Sequence, residues 1–278
     1  MSASVRAAPR AAHPPRGLAL AFAFAAALLL LFIVLPLAQL YASQSEASLA
    51  RVAAMAEVRS AILLSLAAAT ATTACAALLG IPLAYLLARM TFPAKPVVEA
   101  IVDLPLAVPH TVVGIALLFV FGRTGIIGAP LEHWTGIKFW GTAAGIVIAM
   151  LYVSVPYAVN AARVGLESVD DRLEKVARTL GAGRWAVFFR VTLPLGARGI
   201  LTGLALTFAR SVSEFGAVIV LTYYPMTAPV KIYDLFLQSG LGDSSAMAAI
   251  YLAITLSLFV AARYLFRERR EAESMPAR

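Results

Sequence analysis

Hydrophobic positions in this chain come in long unbroken runs, not in the alternation of a half-buried strand. Runs at 17–41, 60–88, 97–121, 141–161, 199–222 and 246–266 stand out. Each is long enough for a helix to cross ~30 Å of hydrocarbon, which takes about 20 residues. The pattern predicts an all-α integral membrane protein with six transmembrane helices and argues against a membrane β-barrel. Arg6, Arg10 and Arg16 precede the first run as they would a secretory signal. Its apolar core is longer than a signal peptide requires, so it reads as a retained anchor helix. The expected organisation is a tail at 1–16, a six-helix domain at 17–266 and a second tail at 267–278.

Two polar segments separate the runs on one side. Segment 122–140 carries Trp134 and Trp140, residues that suit a membrane interface. Segment 223–245 carries Tyr223, Tyr224 and Tyr233, with Pro225 and Pro229 opposing a helix. It reads as a loop.

Composition strengthens the membrane reading: 61% of residues are hydrophobic and only 14% charged, a balance that a soluble core could not hide. A chain of 278 residues has no room for a separate soluble catalytic domain. Cys75 is the single cysteine, so no internal disulfide can form, and it reads as a small buried hydrophobe. The net charge of +8 would suggest nucleic acid in a soluble protein, but here its distribution matters more. Seventeen Lys and Arg fall on one side, including Arg6, Arg10, Arg16, Arg89, Lys95, seven from Arg163 to Arg198 and five from Arg263 onward. Five (Arg51, Arg59, Arg123, Lys138, Lys231) fall on the other, and Arg210 lies within the fifth run. This asymmetry predicts both termini and the 163–198 loop in the cytoplasm, and nucleic acid is not needed to explain the charge.

The 163–198 loop is the most informative segment. Glu167, Asp170, Asp171 and Glu174 precede a helix-prone run, where acids favour a helix start. Gly181 and Gly183 permit a tight turn. Trp185, Val187, Phe188, Phe189 and Val191 follow, flanked by Arg184 and Arg190, and Pro194 marks a stop before the next span. The expected form is a short helix–turn–helix with exposed apolar groups, suited to docking another protein.

These residues resemble the cytoplasmic signature of binding-protein-dependent ABC importer permeases, a Glu-Ala-Ala, then a Gly, then a Leu-Pro. The match is carried by Glu174, Val176, Ala177, Leu180, Gly181, Ala182 and Leu193-Pro194, with Glu174 one residue early relative to the family's acid. The likeness runs from about Ser60 to Phe266. Within it, 103–117, Ser213-Glu-Phe-Gly-Ala217 and 223–234 are similar to the molybdate, tungstate and sulfate branch, and the 223–234 stretch and Pro109-His110 to its molybdate/tungstate permeases. The resemblance implies a coupling helix between the fourth and fifth spans, built from Glu174, Ala177, Leu180, Gly181, Ala182, Arg184 and Pro194, that docks on an ATPase subunit. It also implies two ATPase subunits, an extracytoplasmic substrate-binding protein and a second copy of the chain in a cytoplasmic (inner) membrane. The substrate implied is molybdate or tungstate, with sulfate or thiosulfate as the nearest rival.

The chain has no P-loop, so ATP would be bound by a partner, and no Gly-x-Ser-x-Gly elbow or His-Glu-x-x-His pair. It reads as a non-enzymatic subunit without cofactor. A proton-coupled secondary carrier is a rival class, but it would need a proton relay and inverted repeats, and no repeat is visible.

Charges inside the runs are the remaining candidates. Arg210 and Glu214, four apart, should share a helix face and pair. They are either a pore element for a divalent oxyanion, with Phe215 and His110 as further pore candidates, or a structural bridge. As a pore element, Arg210 would attract the anion and Glu214 would keep it from being held too tightly. Asp103 and His110, seven apart, should lie on one face of the third span, interrupted by Pro105 and Pro109. His110, Glu214 and Asp103 read as too scattered for a metal site. Lys231 and Tyr233 face the binding protein, or Lys231 is simply a solvated loop lysine. Gly114 and Gly145 should allow close helix packing.

Overall fold

The computed structural model describes the backbone of residues 16–272 and the side chains of 17–261. The tails expected at 1–16 and 267–278 lie outside the described side chains, with only the backbone of residue 16 and of 267–272 described. All regular structure among the described residues is helical. The chain divides into two compact units, Met1–Glu46 and Ala47–Arg278. The described part of the first is essentially one helix, α1 (Arg16–Ala42), apolar throughout.

The second unit is a bundle. Helix α2 (Glu46–Ala54) leads into α3 (Ala56–Arg89), which crosses the bundle in one piece. The third expected span is broken. Helices α4 (Lys95–Ala107) and α5 (His110–Phe121) meet at 114°. The cause is Pro109: the residue before a proline is pushed out of the helical region, and Val108 has ψ 132°. Pro105 lies buried inside α4 without breaking it, so Asp103 and His110 do not share the expected face. Segment 122–140 contains a short helix, α6 (Gly128–Thr135), and α7 (Ala143–Glu167) returns through the bundle.

After α8 (Asp171–Thr179) and a four-residue turn, helical structure runs from Arg184 to Val212: α9 (Arg184–Val187), a π-helical turn (Phe188–Thr192) and α10 (Leu193–Val212). Pro194 therefore does not stop the chain. It lies two residues after the π-helical turn, and helical structure continues through it. The fifth expected span ends early instead, at Val212, and resumes as α11 (Gly216–Leu221) after a break at Ser213–Phe215. The 223–245 segment is not a loop either. Helix α12 (Ala228–Ser239) occupies it, with Pro229 in the permissive first turn, and α13 (Leu241–Ala272) completes the unit.

Helices α7 and α10 form the tightest contact. A Cβ built on Gly165 would fall 2.6 Å from the Gly199 Cα, and the reverse approach is tighter still. Small residues at such crossings let backbones touch where hydrocarbon offers no hydrophobic drive. The same pair is stitched by buried hydroxyls, with Ser211 Oγ donating to Ser154 Oγ at 3.0 Å. Gly114 packs equally closely on Val220. Gly199→Val should lower the melting temperature of the detergent-solubilised protein, because overpacking of this kind costs about 1–3 kcal/mol. An unchanged melt would contradict the close α7–α10 approach.

Candidate functional site

Three polar assemblies punctuate the bundle, two at its ends and one at its helix breaks. At the end where α3 stops and α8 begins, Asp170 caps α8 by accepting from the Arg172 N–H at 2.8 Å. The helix ends in a tight turn, with Ala182 N donating to Ala177 O at 3.0 Å. Gly181 sits there at φ +91°, a conformation that side chains with a Cβ avoid.

One arginine holds this hairpin to the bundle. Arg89, the last residue of α3, donates from Nε to Glu174 Oε1 at 2.9 Å and from Nη2 to the Val169 carbonyl at 3.0 Å, and pairs with Asp171 at 3.0 Å. Thr192 in the π turn donates to the same Glu174 oxygen at 2.9 Å. Glu174 thus turns inward, toward the bundle. An exposed stripe is apolar, beside the exposed charges Arg172, Lys175 and Arg178: Leu173, Val176 and Leu180 follow helical spacing, and Leu180 and Trp185 are 82% and 76% exposed. Trp185 stacks on Phe189, and Phe188 packs edge-on against Tyr85. Ala182 is half-buried in the turn and Arg184 is exposed beyond it.

The second assembly lies where the two helix breaks meet. Glu214 is fully buried. Its Oε2 accepts from Arg210 Nη2 at 2.6 Å and lies 3.1 Å from His110 Nδ1, while Oε1 accepts from the Ala217 N–H at 2.8 Å. Arg210 and Glu214 pair as expected, but not along one helix face, since Glu214 lies beyond the end of α10. His110, read as too scattered from Glu214 to share a metal site, is its direct neighbour, and Gly216 packs against the His110 Cβ. No cluster of three metal-binding side chains occurs among the described residues. The break is closed by Tyr251, whose hydroxyl donates to the Val212 carbonyl at 2.8 Å. Phe215 sits edge-on to Tyr233 at 5.2 Å. Asp103 pairs elsewhere, accepting from Asn160 at 2.6 Å.

The third assembly corrects the reading of Lys231 as a solvated or binding-protein-facing residue. Lys231 is buried on α12 and donates to Glu57 at 2.7 Å and Asp234 at 3.2 Å. Tyr223 and Gln238 also donate to Asp234, each at 2.9 Å. The N-terminus of α12 is pinned by Ser65, which accepts from the Ala228 N–H at 2.7 Å. Burial alone would push the Asp234 carboxyl up, but the bonds from Tyr223, Lys231 and Gln238 hold it below its usual range. Burial likewise opposes the charge on Lys231, yet its bonds to Glu57 and Asp234 raise it above its usual value.

A cavity of about 1160 Å³ lies between α3, α10, α12 and α13. Its lining, with Ala77, Ala205, Leu252 and Phe259, is mostly apolar and contains no charged side chain to draw in an anion.

Residues 80–271 match the family described as binding-protein-dependent transport system inner membrane component. The chain belongs to that family.

This permease is 45% identical over 201 residues to the molybdate/tungstate transport system permease protein WtpB of Thermococcus kodakarensis, covering 72% of this chain and 76% of that one. It is 42% identical over 217 residues to the molybdenum transport system permease protein ModB of Escherichia coli, covering 76% and 94%. Among solved structures it resembles a chain of a bacterial ABC transporter involved in import of the acidic polysaccharide alginate. The TM-score is 0.74 at 18% identity, over 90% of this chain and 95% of that one, a likeness of fold alone. The permease is a non-catalytic inner-membrane subunit. The ATPase is a separate chain.

Sequence reasoning missed Arg89, read only as a topology charge, and Glu57. Their partners, Glu174 and Lys231, lie 85 and 174 positions away, beyond any local pattern. The raised Lys231 value keeps its contribution in force until pH rises through it. The lowered Asp234 value keeps its contribution in force until pH falls through it. The melting-temperature penalty of Asp234→Asn in the permease should therefore be constant from about pH 5 to about pH 9 and shrink only below about pH 4. A penalty that varies across neutral pH would contradict the pairing.

Proposed function

We propose that two copies of this permease form the channel of an ATP-driven importer of molybdate or tungstate. Each copy docks the 168–192 hairpin on one of two ATPase subunits, and an extracytoplasmic binding protein delivers the oxyanion. The observation that carries the reading is the hairpin itself. Its inner face is fixed to α3 through Arg89 and Glu174, and Leu173, Val176, Leu180 and Trp185 are exposed on its outer side. A surface apolar on the outside and rigidly joined to a transmembrane helix is suited to receive a push from a soluble partner. ATPase closure would move the hairpin, and the unbroken helical run from Arg184 to Val212 would carry that movement toward the helix breaks.

The Lys and Arg asymmetry supports a cytoplasmic hairpin and cytoplasmic termini. The named relatives support molybdate or tungstate over sulfate. The proposed roles divide the hairpin residues. Leu180 would make the contact, with Arg184 at its edge. Gly181, Ala177 and Ala182 would shape the turn, Glu174 would anchor it, and Pro194 would lie within the transmitting run, just past its π turn. Tyr233, on the face opposite the hairpin, is 40% exposed and open to a binding protein.

The test is uptake into proteoliposomes by the permease co-purified with its ATPase and supplied with binding protein. Tungstate and molybdate should enter only with ATP. Gly181→Val should cut uptake by about tenfold or more, because a β-branched residue is strained at positive φ. Uptake that ignores ATP, or of sulfate alone, would contradict the function or the substrate respectively.

A further inference from the structure

The junction of the two helix breaks contains one more partner than an ion pair needs. Glu214 has no solvent exposure, whereas the side chains of Arg210 and His110 are 19% and 37% exposed. Anything arriving at the junction therefore meets the cation and the imidazole before the carboxylate. The guanidinium is unevenly engaged. Its Nη2 makes the short contacts to Glu214 and His110, while Nη1 has one long contact, 3.4 Å to Ser213 Oγ. Arg210 could turn to an anion, but only if Glu214 is not left buried and unpaired, which is strongly unfavourable.

His110 is placed to prevent that. Its Nδ1 lies 3.1 Å from the oxygen that Arg210 binds, and 2.6 Å from Arg210 Nη2. One imidazole nitrogen cannot accept the arginine proton and donate to the carboxylate at once. Arg210 Nη2 lies 2.6 Å from Nδ1 and 3.0 Å from Nε2, so while Arg210 is in place it occupies the approach to both ring nitrogens. With Arg210 withdrawn, a proton on Nδ1 can point at Glu214 Oε2. Among the described residues, Arg210 and Glu214 are the charged groups within hydrogen-bond reach of the ring.

We propose that this junction is a transit site for the oxyanion that works by exchange of partners. Arg210 leaves Glu214 for the passing dianion, and His110 takes its place on the carboxylate. This rests on the importer reading above. Because Arg210 and Glu214 cancel at rest, the site attracts a dianion without the permanent positive charge that would trap it. Because the exchange joins the ends of α10, α5 and α11, a shift of α10 against α5 changes which partner Glu214 holds. That links passage of the anion to the movement of the helices. His110 is a positioning residue here, acting through Glu214, while Arg210 touches the substrate. Phe215, between Glu214 and α11, closes one side of the junction against Tyr233.

The experiment uses the reconstituted complex with ATPase and binding protein, and tungstate as the probe. The double variant Arg210→Gln with Glu214→Gln removes both charges, keeps the shape and the Ala217-capping oxygen of position 214, and leaves a polar side chain at position 210. It should co-purify with the ATPase and melt near wild type, while uptake falls by about tenfold or more. Uptake within about twofold of wild type would reduce the pair to a structural bridge and overturn the proposal. His110→Leu should lower the maximal uptake rate about tenfold without changing the half-saturating concentration of loaded binding protein. His110→Asn, which keeps a donor near the Nδ1 position, should restore most of that rate. Leu and Asn variants that behave alike would overturn the stand-in role even if the double variant failed to fold. A wild-type complex that takes up neither tungstate nor molybdate with ATP would instead overturn the importer reading.

Discussion

A single buried carboxylate allows this bundle to contain two broken helices. In hydrocarbon every backbone polar group must be satisfied within the protein, so a break is tolerated only where other groups supply the lost bonds. Glu214 does this at the Ser213–Phe215 break. One oxygen caps the Ala217 N–H and the other gathers Arg210 and His110. Tyr251 then satisfies the Val212 carbonyl from α13. Without Glu214, the start of α11, the guanidinium of α10 and the start of α5 would each lose a partner. The two breaks are thus one structural feature.

The hairpin is joined to this junction by stiff elements. Helical structure is unbroken from Arg184 to Val212, and the Gly165–Gly199 approach presses α10 backbone to backbone on α7. Close-packed contacts of this kind transmit displacement instead of absorbing it. The π turn at Phe188–Thr192 is the one irregular place on the route, and Thr192 there shares Glu174 with Arg89. In the proposed importer, movement of the hairpin would reach Arg210 along a single helical run.

What the sequence made legible follows physical range. Long apolar runs marked out the membrane helices, and Gly181 announced its turn, because both depend on neighbours close in the chain. The interruption read from Pro105 and Pro109 likewise has a local cause, although only Pro109 breaks the helix. The break at Ser213–Phe215 has no proline to announce it. It depends on partners from α5, α11 and α13. Lys231 was misjudged for the same reason: its burial follows from Glu57 and from the way Ser65 seats α12 on α3. Pro229 looked like a helix breaker and is a helix starter, since the residue type is the same and only its position in the turn decides.

The account depends most on the hairpin being the surface that meets the ATPase. Leu180→Cys in a Cys75→Ser background, co-expressed with the ATPase and treated with a short thiol-to-amine cross-linker, tests this directly. The account predicts a cross-link to the ATPase whose yield changes on adding ATP. It predicts no such product from Ile126→Cys at the opposite end of the bundle, where the side chain is equally exposed. A cross-link through position 126 and none through position 180 would contradict it.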